Sequence, residues 1–377
     1  MSPTPVSFAS PIAPVGYSWE ATSAEIARRY GVDPASIVRF DLNTAPAPPS
    51  IAEREIAAGR FAAPLSEYPP SDYATLVEAA AAAYGVAGDE LLVGAGADEV
   101  LDLCAKAFLP PGGVAVAAIP TYAMHRVLTE QRPARFVGVP RRGPADGWTM
   151  DPDAVRAAAA AENATVVWLC NPNNPTGLAE PGDSVPALLE ALAGDAADAG
   201  RPVPTVVLDE AYAEFAGGTL IPLRRDHPNL VVVRTASKAY ALAGLRVGFA
   251  IAQAATIDRL APYRPPGSVS VVSVTAVAAA MADQPGMRAR VAAVSVERER
   301  WRAALAAIGW PAGPSVTNFL LVDFGSADRA AAAAEHLLRH ALVPRTFPAD
   351  HALAAYLRLT VRTEADDDRF LEVVAAL

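Results

Sequence analysis

Lysine is nearly missing from this sequence: its 377 residues hold only Lys106 and Lys238. Cysteine is as scarce, with Cys104 and Cys170 alone, and two cysteines cannot build a disulfide framework. Cys170 closes the apolar run Val166-Val167-Trp168-Leu169 and reads as a buried thiol. Positive charge is in deficit too: 31 Lys and Arg against 41 Asp and Glu leave a net charge of −10. That balance argues against nucleic-acid binding, which draws on a basic surface, while leaving room for a local Arg cluster around a small anion. No apolar run reaches the ~18 residues of a membrane span. The opening Met1-Ser2-Pro3-Thr4-Pro5 lacks the basic and apolar segments of a signal peptide. The expectation is a soluble, cytoplasmic protein with no membrane partner. Metal ligands are sparse: His336 and His340 stand four apart in a helical stretch without further ligands, so no metal is expected.

What is present suits a large folded chain. The chain is 52% hydrophobic, enough for an extensive core. At roughly 150 residues per domain its length allows two or three structural units. The first ~60 residues read as Pro-rich and irregular, with one helix at Ser23 to Tyr30. From Ser71 onward helical stretches alternate with short Val- and Ile-rich runs: Val114 to Ile119, Phe136 to Val139, Thr165 to Cys170, Thr205 to Leu208, Leu230 to Val233 and Arg246 to Ile251. These runs lack strict alternation, as expected of strands covered on both faces, and their spacing predicts a mostly parallel α/β sheet. After Pro265-Pro266-Gly267 come two helices, Val269 to Ala282 and Met287 to Ile308. A smaller α+β unit follows: strand Phe319 to Phe324, helix Ala327 to Ala341, strand Tyr356 to Val361 and helix Ala365 to Leu377. The division expected is a large domain at 67–285 and a small one at 286–377, to which 1–66 contributes.

Ligands of such sheets bind where strands end and loops begin. Four of these junctions carry unusual polar groups. Val93-Gly94-Ala95-Gly96-Ala97-Asp98-Glu99 feeds a helix and can offer backbone N–H groups to an anion, although Glu99 replaces the third Gly of a dinucleotide fingerprint. Cys170-Asn171-Pro172-Asn173-Asn174-Pro175-Thr176-Gly177 places Asn amides directly after a buried strand. Val206-Val207-Leu208-Asp209-Glu210-Ala211-Tyr212 ends a buried strand on a carboxylate, which is costly without a partner: a helix N–H, an Arg, a metal or a protonated ring nitrogen. Arg234-Thr235-Ala236-Ser237-Lys238-Ala239-Tyr240, followed by Gly244-Leu245-Arg246-Val247-Gly248, sets one of the two lysines after a strand with Arg246 eight residues on. A Lys among cations and apolar groups has a lowered pKa and can condense with an aldehyde.

Together and in this order, these junctions resemble the pyridoxal-phosphate-dependent aminotransferases of fold type I. The resemblance implies a large domain around a mostly parallel sheet flanked by helices, plus a smaller α+β domain. It implies that Lys238 holds the cofactor aldehyde and later moves the proton, and that Asp209 pairs with the pyridine nitrogen. Asn174 and Tyr212 would bond the ring hydroxyl oxygen, and Tyr122 would stack on the ring. The phosphate would rest on the backbone of Ala97 and Asp98 with Thr235, Ser237 and Arg246. A Tyr from a neighbouring subunit reaches that phosphate in the family, and Tyr68 holds the matching place, so a homodimer is implied.

Within the family the sequence is similar to the histidinol-phosphate aminotransferases, through Glu67 to Tyr73, Gly94 to Leu103, Cys170 to Gly177, Arg234 to Ala252 and Tyr356 to Val361. This likeness assigns Arg358 to the substrate's acidic group, Arg345 to its phosphate and Tyr17 to an N-terminal closure, with Asn174 also facing substrate. Substrates implied are an amino donor, histidinol phosphate or an aromatic amino acid, and a keto-acid acceptor, 2-oxoglutarate. Three departures fall where specificity is set: Asn43-Thr44-Ala45-Pro46 for Asn-Glu-Asn-Pro, Arg362 for Gly, and Gly16-Tyr17-Ser18-Trp19-Glu20 without a Pro-Gly pair. Leu359 to Thr363 partly resembles threonine-phosphate decarboxylases. Decarboxylation of an amino-acid phosphate and a non-catalytic cofactor sensor therefore stand beside transamination.

Overall fold

The computed structural model describes residue 16, residues 20–375 and residue 377. Its centre is a seven-stranded sheet in the order Leu91–Gly94, Gly248–Ile251, Leu230–Thr235, Thr205–Asp209, Val166–Cys170, Val114–Ile119, Arg135–Pro140. Gly248–Ile251 runs antiparallel to both neighbours and every other pairing is parallel. Each residue of Val166–Cys170, Thr205–Asp209 and Leu230–Thr235 is buried. Helices cover both faces, and this explains the unbroken apolar runs. Ala97–Phe108 shows how a helix joins the sheet. It buries Val100, Leu101, Leu103, Cys104, Ala105 and Phe108, and it carries Asp98 and Glu99 at its first turn and Lys106 at its last, in keeping with the helix dipole.

The smaller unit pairs Phe319–Asp323 antiparallel with Tyr356–Thr360 and Val38–Arg39 parallel with Leu342–Val343. Phe40, from the N-terminal segment, meets Trp301 at 5.6 Å and Phe370 at 5.3 Å between ring centroids. Burial of such a ring contributes about 1.5–3 kcal/mol, so the N-terminal strand is fastened to the C-terminal unit. The helix Gln284–Ala307 belongs to both cores. Met287 packs with the large sheet's cluster, Trp301 and Leu305 pack with the small one, and Val294 touches both. Position 285/286 thus lies at a helix start capped by Asp283, not in a linker.

Three features differ from the sequence reading. Leu91–Gly94 is a strand; its four residues run straight into the Gly-rich turn and show no period of their own. Ser50–Ala58 is a helix inside the supposedly irregular N-terminal segment, and it packs through Ala52 against Val271–Ala282 in the large domain. Val38–Arg39 and Leu342–Val343 are two-residue strands, too short to leave a pattern. Among the described residues no helix is long and apolar enough to cross a membrane.

Candidate active site

The four polar junctions open into one cavity of about 490 Å³ at the C-terminal edge of the sheet. Lys238 lies three residues beyond Leu230–Thr235, and Asp209 ends the adjacent strand. Neighbouring strands therefore bring an amine and a carboxylate to one wall. Loss of water lowers the Lys238 ammonium to about 8, and Arg358 pushes the same way, while Asp98 and Asp209 oppose. Its Nζ donates to the Asn43 carbonyl at 3.2 Å and stands 5.7 Å from the centre of the Tyr212 ring. Burial raises Asp209 to about 7 against the single backbone N–H it accepts, from Ala211 at 3.0 Å.

Two ring-binding candidates, Asn174 and Tyr212, are oriented by bonds that leave each a donor for a ligand. Asn174 Oδ1 accepts from Arg358 at 2.7 Å, so its amide N–H₂ remains available. Tyr212 Oη accepts from Asn43 Nδ2 at 2.9 Å and keeps its own proton to donate. Tyr122 follows strand Val114–Ile119 and donates to Asp98 at 2.8 Å. Behind both loops lies a buried ion pair, Arg141–Glu180. Arg141 Nε donates to the Pro120 carbonyl at 3.0 Å, and Glu180 N donates to Asn171 Oδ1 at 2.9 Å, so the pair ties the Tyr122 loop to the Asn174 loop.

The anion cradle is built from tight backbone. Gly96, at φ 88°, precedes Ala97–Phe108 and contributes no side-chain cap, so no side chain of its own covers the first N–H groups of that helix. A Cβ on Gly96 would collide with the Arg246 guanidinium, and one on Gly248 would collide with the Gly96–Ala97 backbone. Arg246 pairs with Asp98 at 3.2 Å, and the Thr235 and Ser237 hydroxyls lie 3.0 Å apart. Glu99, the residue that broke the dinucleotide pattern, folds back to accept from Ala95 N and from Ser268 at 2.9 Å.

Arg345 and Arg358 stand opposite one another across an antiparallel bridge, with reciprocal backbone bonds of 3.1 and 3.0 Å. Opposed residues leave the same face, so both side chains reach the cavity. Arg358 also donates to the Asp41 carbonyl, and Arg345 pairs with Glu20. Tyr68 is elsewhere: it is 88% exposed and does not line the cavity of its own chain. Tyr17 lies outside the described residues. Asn43 was treated in the sequence only as part of a departure, yet it is buried at φ 53°, bonds Tyr212 and Lys238, and is held by Thr360 and Asn318. Its signal was weak, a lone Asn in an irregular segment. Two departures also meet: Arg362 Nη1 donates to the Thr44 carbonyl at 3.1 Å.

The family model for aminotransferase class I and II matches residues 37–374. The chain belongs to the class I and II aminotransferases. Relatives of this aminotransferase include a histidinol-phosphate aminotransferase of Thermococcus gammatolerans, 35% identical over 89% of this chain and 91% of the relative. Another is the histidinol-phosphate aminotransferase of Xanthomonas euvesicatoria, 38% identical over 81% of this chain and 83% of the relative. Among solved structures, the Sinorhizobium meliloti histidinol-phosphate aminotransferase in complex with pyridoxal-5'-phosphate superposes with a TM-score of 0.84 at 27% identity, covering 95% of this chain and 96% of that one. The residues of this aminotransferase fit that cofactor. A buried carboxylate with one protein hydrogen bond suits a protonated ring nitrogen, and the cradle shaped by Gly96 and Gly248 suits a phosphate.

Proposed function

We propose that this aminotransferase moves the amino group of histidinol phosphate to 2-oxoglutarate with pyridoxal phosphate as cofactor. The observation that carries the reading is the placement of Lys238 and Asp209 on adjacent strand ends, in one cavity with the Arg345–Arg358 pair. Named relatives at 35–38% identity support the substrate.

The cofactor, when bound, supplies an aldehyde for amino groups and a ring that accepts electron density. Lys238 offers an amine that burial keeps partly neutral near pH 8, able to condense with the aldehyde and, once released, to carry a proton at Nζ. The Asn43 carbonyl is the acceptor that orients this amine. Asp209 would hold the ring nitrogen's proton, and a cation there would offset the cost of its burial. Asn174 Nδ2 and the Tyr212 hydroxyl would donate to the ring oxygen, and Tyr122 would help hold the ring. Ala97 N, Asp98 N, Thr235, Ser237 and Arg246 would hold the phosphate. Arg358 and Arg345 bind the substrate's anionic group, for which Arg345 must part from Glu20. Tyr17 would close over the substrate from the N-terminal segment. A homodimer with Tyr68 crossing to the partner's phosphate fits the exposure of Tyr68 within its own chain. The domain division at 67–285 and 286–377 places the lysine in the large unit and both substrate arginines in the small one.

The test is a panel of amino donors with 2-oxoglutarate: histidinol phosphate, phenylalanine, tyrosine and threonine phosphate. Glutamate formed fastest with histidinol phosphate, without carbon dioxide, is expected. Carbon dioxide released from threonine phosphate without a keto product, or faster turnover of the aromatic amino acids, would replace the reading.

A further inference from the structure

The segment after Arg345 departs from every motif of the sequence. Phe347 and His351 stack on each other, with ring centroids 5.0 Å apart and planes 15° apart, and both line the cavity. The turn holding them is closed by His351 N to Pro348 O at 3.0 Å and Ala354 N to His351 O at 2.9 Å. His351 Nδ1 accepts from Leu353 N at 3.1 Å, which fixes the tautomer with its proton on Nε2. Burial and Arg345 hold this ring below the ordinary histidine range against the pull of Asp350.

We infer that Phe347 and His351 are specificity-determining residues whose paired rings receive a flat, uncharged side chain of the amino substrate, an imidazole or aryl ring. The inference rests on the functional reading above and names the surface that selects its substrate. An amino substrate held at its amine beside Lys238 and at its anionic group by Arg345 and Arg358 has one substituent left to place. Phe347 lies two residues past Arg345, so the aromatic wall starts where the anion-binding pair ends. The lining residues next to this pair in sequence, Arg345, Thr346 and Pro348, carry no aromatic ring that could stack in its place. A flat ring can therefore gain stacking on the Phe347–His351 wall, and an Nε2–H offers a donor to a ring nitrogen.

The experiment compares wild-type holoenzyme with Phe347→Ala, His351→Ala and His351→Phe. The donors are histidinol phosphate and 2-aminopropyl phosphate, which keeps the amine and phosphate but has no ring. KM and kcat are measured with 2-oxoglutarate, and donor affinity is measured by absorbance titration. Each Ala variant should raise KM and the titrated dissociation constant for histidinol phosphate about 3- to 10-fold, the size of one stacking contact. Changes in kcat and in both constants for the ringless donor should stay within about 2-fold, and His351→Phe should recover most of the loss. Equal losses on both donors, or no loss on histidinol phosphate, overturn the inference while leaving the transamination reading standing. Should the wild type prefer carboxylate donors, phenylalanine and alanine replace the two phosphates and the same ratio decides. A wild type that turns over no amino donor overturns both.

Discussion

The two walls of the cavity are built differently. The sheet wall carries Lys238, Asp209, Thr235 and Asn174 at or just beyond the ends of strands buried along their length. Backbone pairing on both sides sets those side chains, as in Asn171 N to Asp209 O and Glu210 N to Val233 O, each 2.9 Å. The small-domain wall is less extensively paired: Arg358 lies in Tyr356–Thr360, which has a strand partner in Phe319–Asp323, Arg345 joins it by one bridge, and Phe347 and His351 sit in a short turn, with Glu20 reaching in from the N-terminal segment. The comparison teaches that the residues proposed for the cofactor hang on a seven-stranded sheet, whereas those proposed for the substrate hang on a two-stranded ladder, one bridge and a turn. On the proposed reading, selection among substrates falls to side chains that can change without disturbing the sheet.

The sharpest way to break this comparison is to remove the amine. Lys238→Ala should lower turnover by at least the 10²- to 10⁴-fold that one acid–base group contributes, while noncovalent cofactor binding survives. Rapid-quench assays and cofactor titration check this, and near-normal turnover would empty the sheet wall of its role. Next is Arg358→Ala, which should raise KM for an anionic donor roughly 10- to 100-fold, the range for a charged hydrogen bond, with a smaller change in cofactor affinity. An unchanged KM in steady-state assays would remove Arg358 from the substrate side.

A smaller effect sharpens the contrast at the departures. Arg362→Gly frees the Thr44 carbonyl beside Asn43 and should change KM by about 2- to 5-fold with little effect on kcat, consistent with one part-buried hydrogen bond. A fall in kcat larger than the change in KM would place Arg362 in the chemistry. The last effect is read in stability and pH, not in turnover. In cofactor-free protein, Asp209 keeps its proton up to about pH 7, whereas in the unfolded chain it loses it near 3.8. Between those values the folded state binds more protons, so the contribution of Asp209 to stability is full below 3.8 and is lost as pH rises through 7. Melting temperatures across pH 4 to 7 should fall for wild type relative to Asp209→Asn. Parallel curves would show an unshifted carboxylate.

Much of the sheet wall was legible because it is written as contiguous pattern. Apolar runs marked the strands, and the polar residue after each run marked the site, so Asn174, Asp209 and Lys238 could be named and are brought together in one cavity. Leu91–Gly94 escaped because a four-residue strand running into a Gly-rich turn has no period. Ser50–Ala58 escaped because prolines surround a helix held by tertiary packing on Val271–Ala282. The rim was harder for a different reason. Asn43, Glu20, Phe347 and His351 act through contacts with residues hundreds of positions away or through one irregular turn, and no local spacing announces such contacts. Arg362 looked like a defect in a motif until its bond to Thr44 joined two departures into one feature.

The account stands on the identity of the reactive amine, and with two lysines in the chain one experiment separates the possibilities. Holoenzyme is reduced with borohydride, digested and sequenced by mass spectrometry. The expected result is a pyridoxyl phosphate mass on the peptide containing Lys238 and none on the peptide containing Lys106. A label on Lys106, or no label on either, would contradict it.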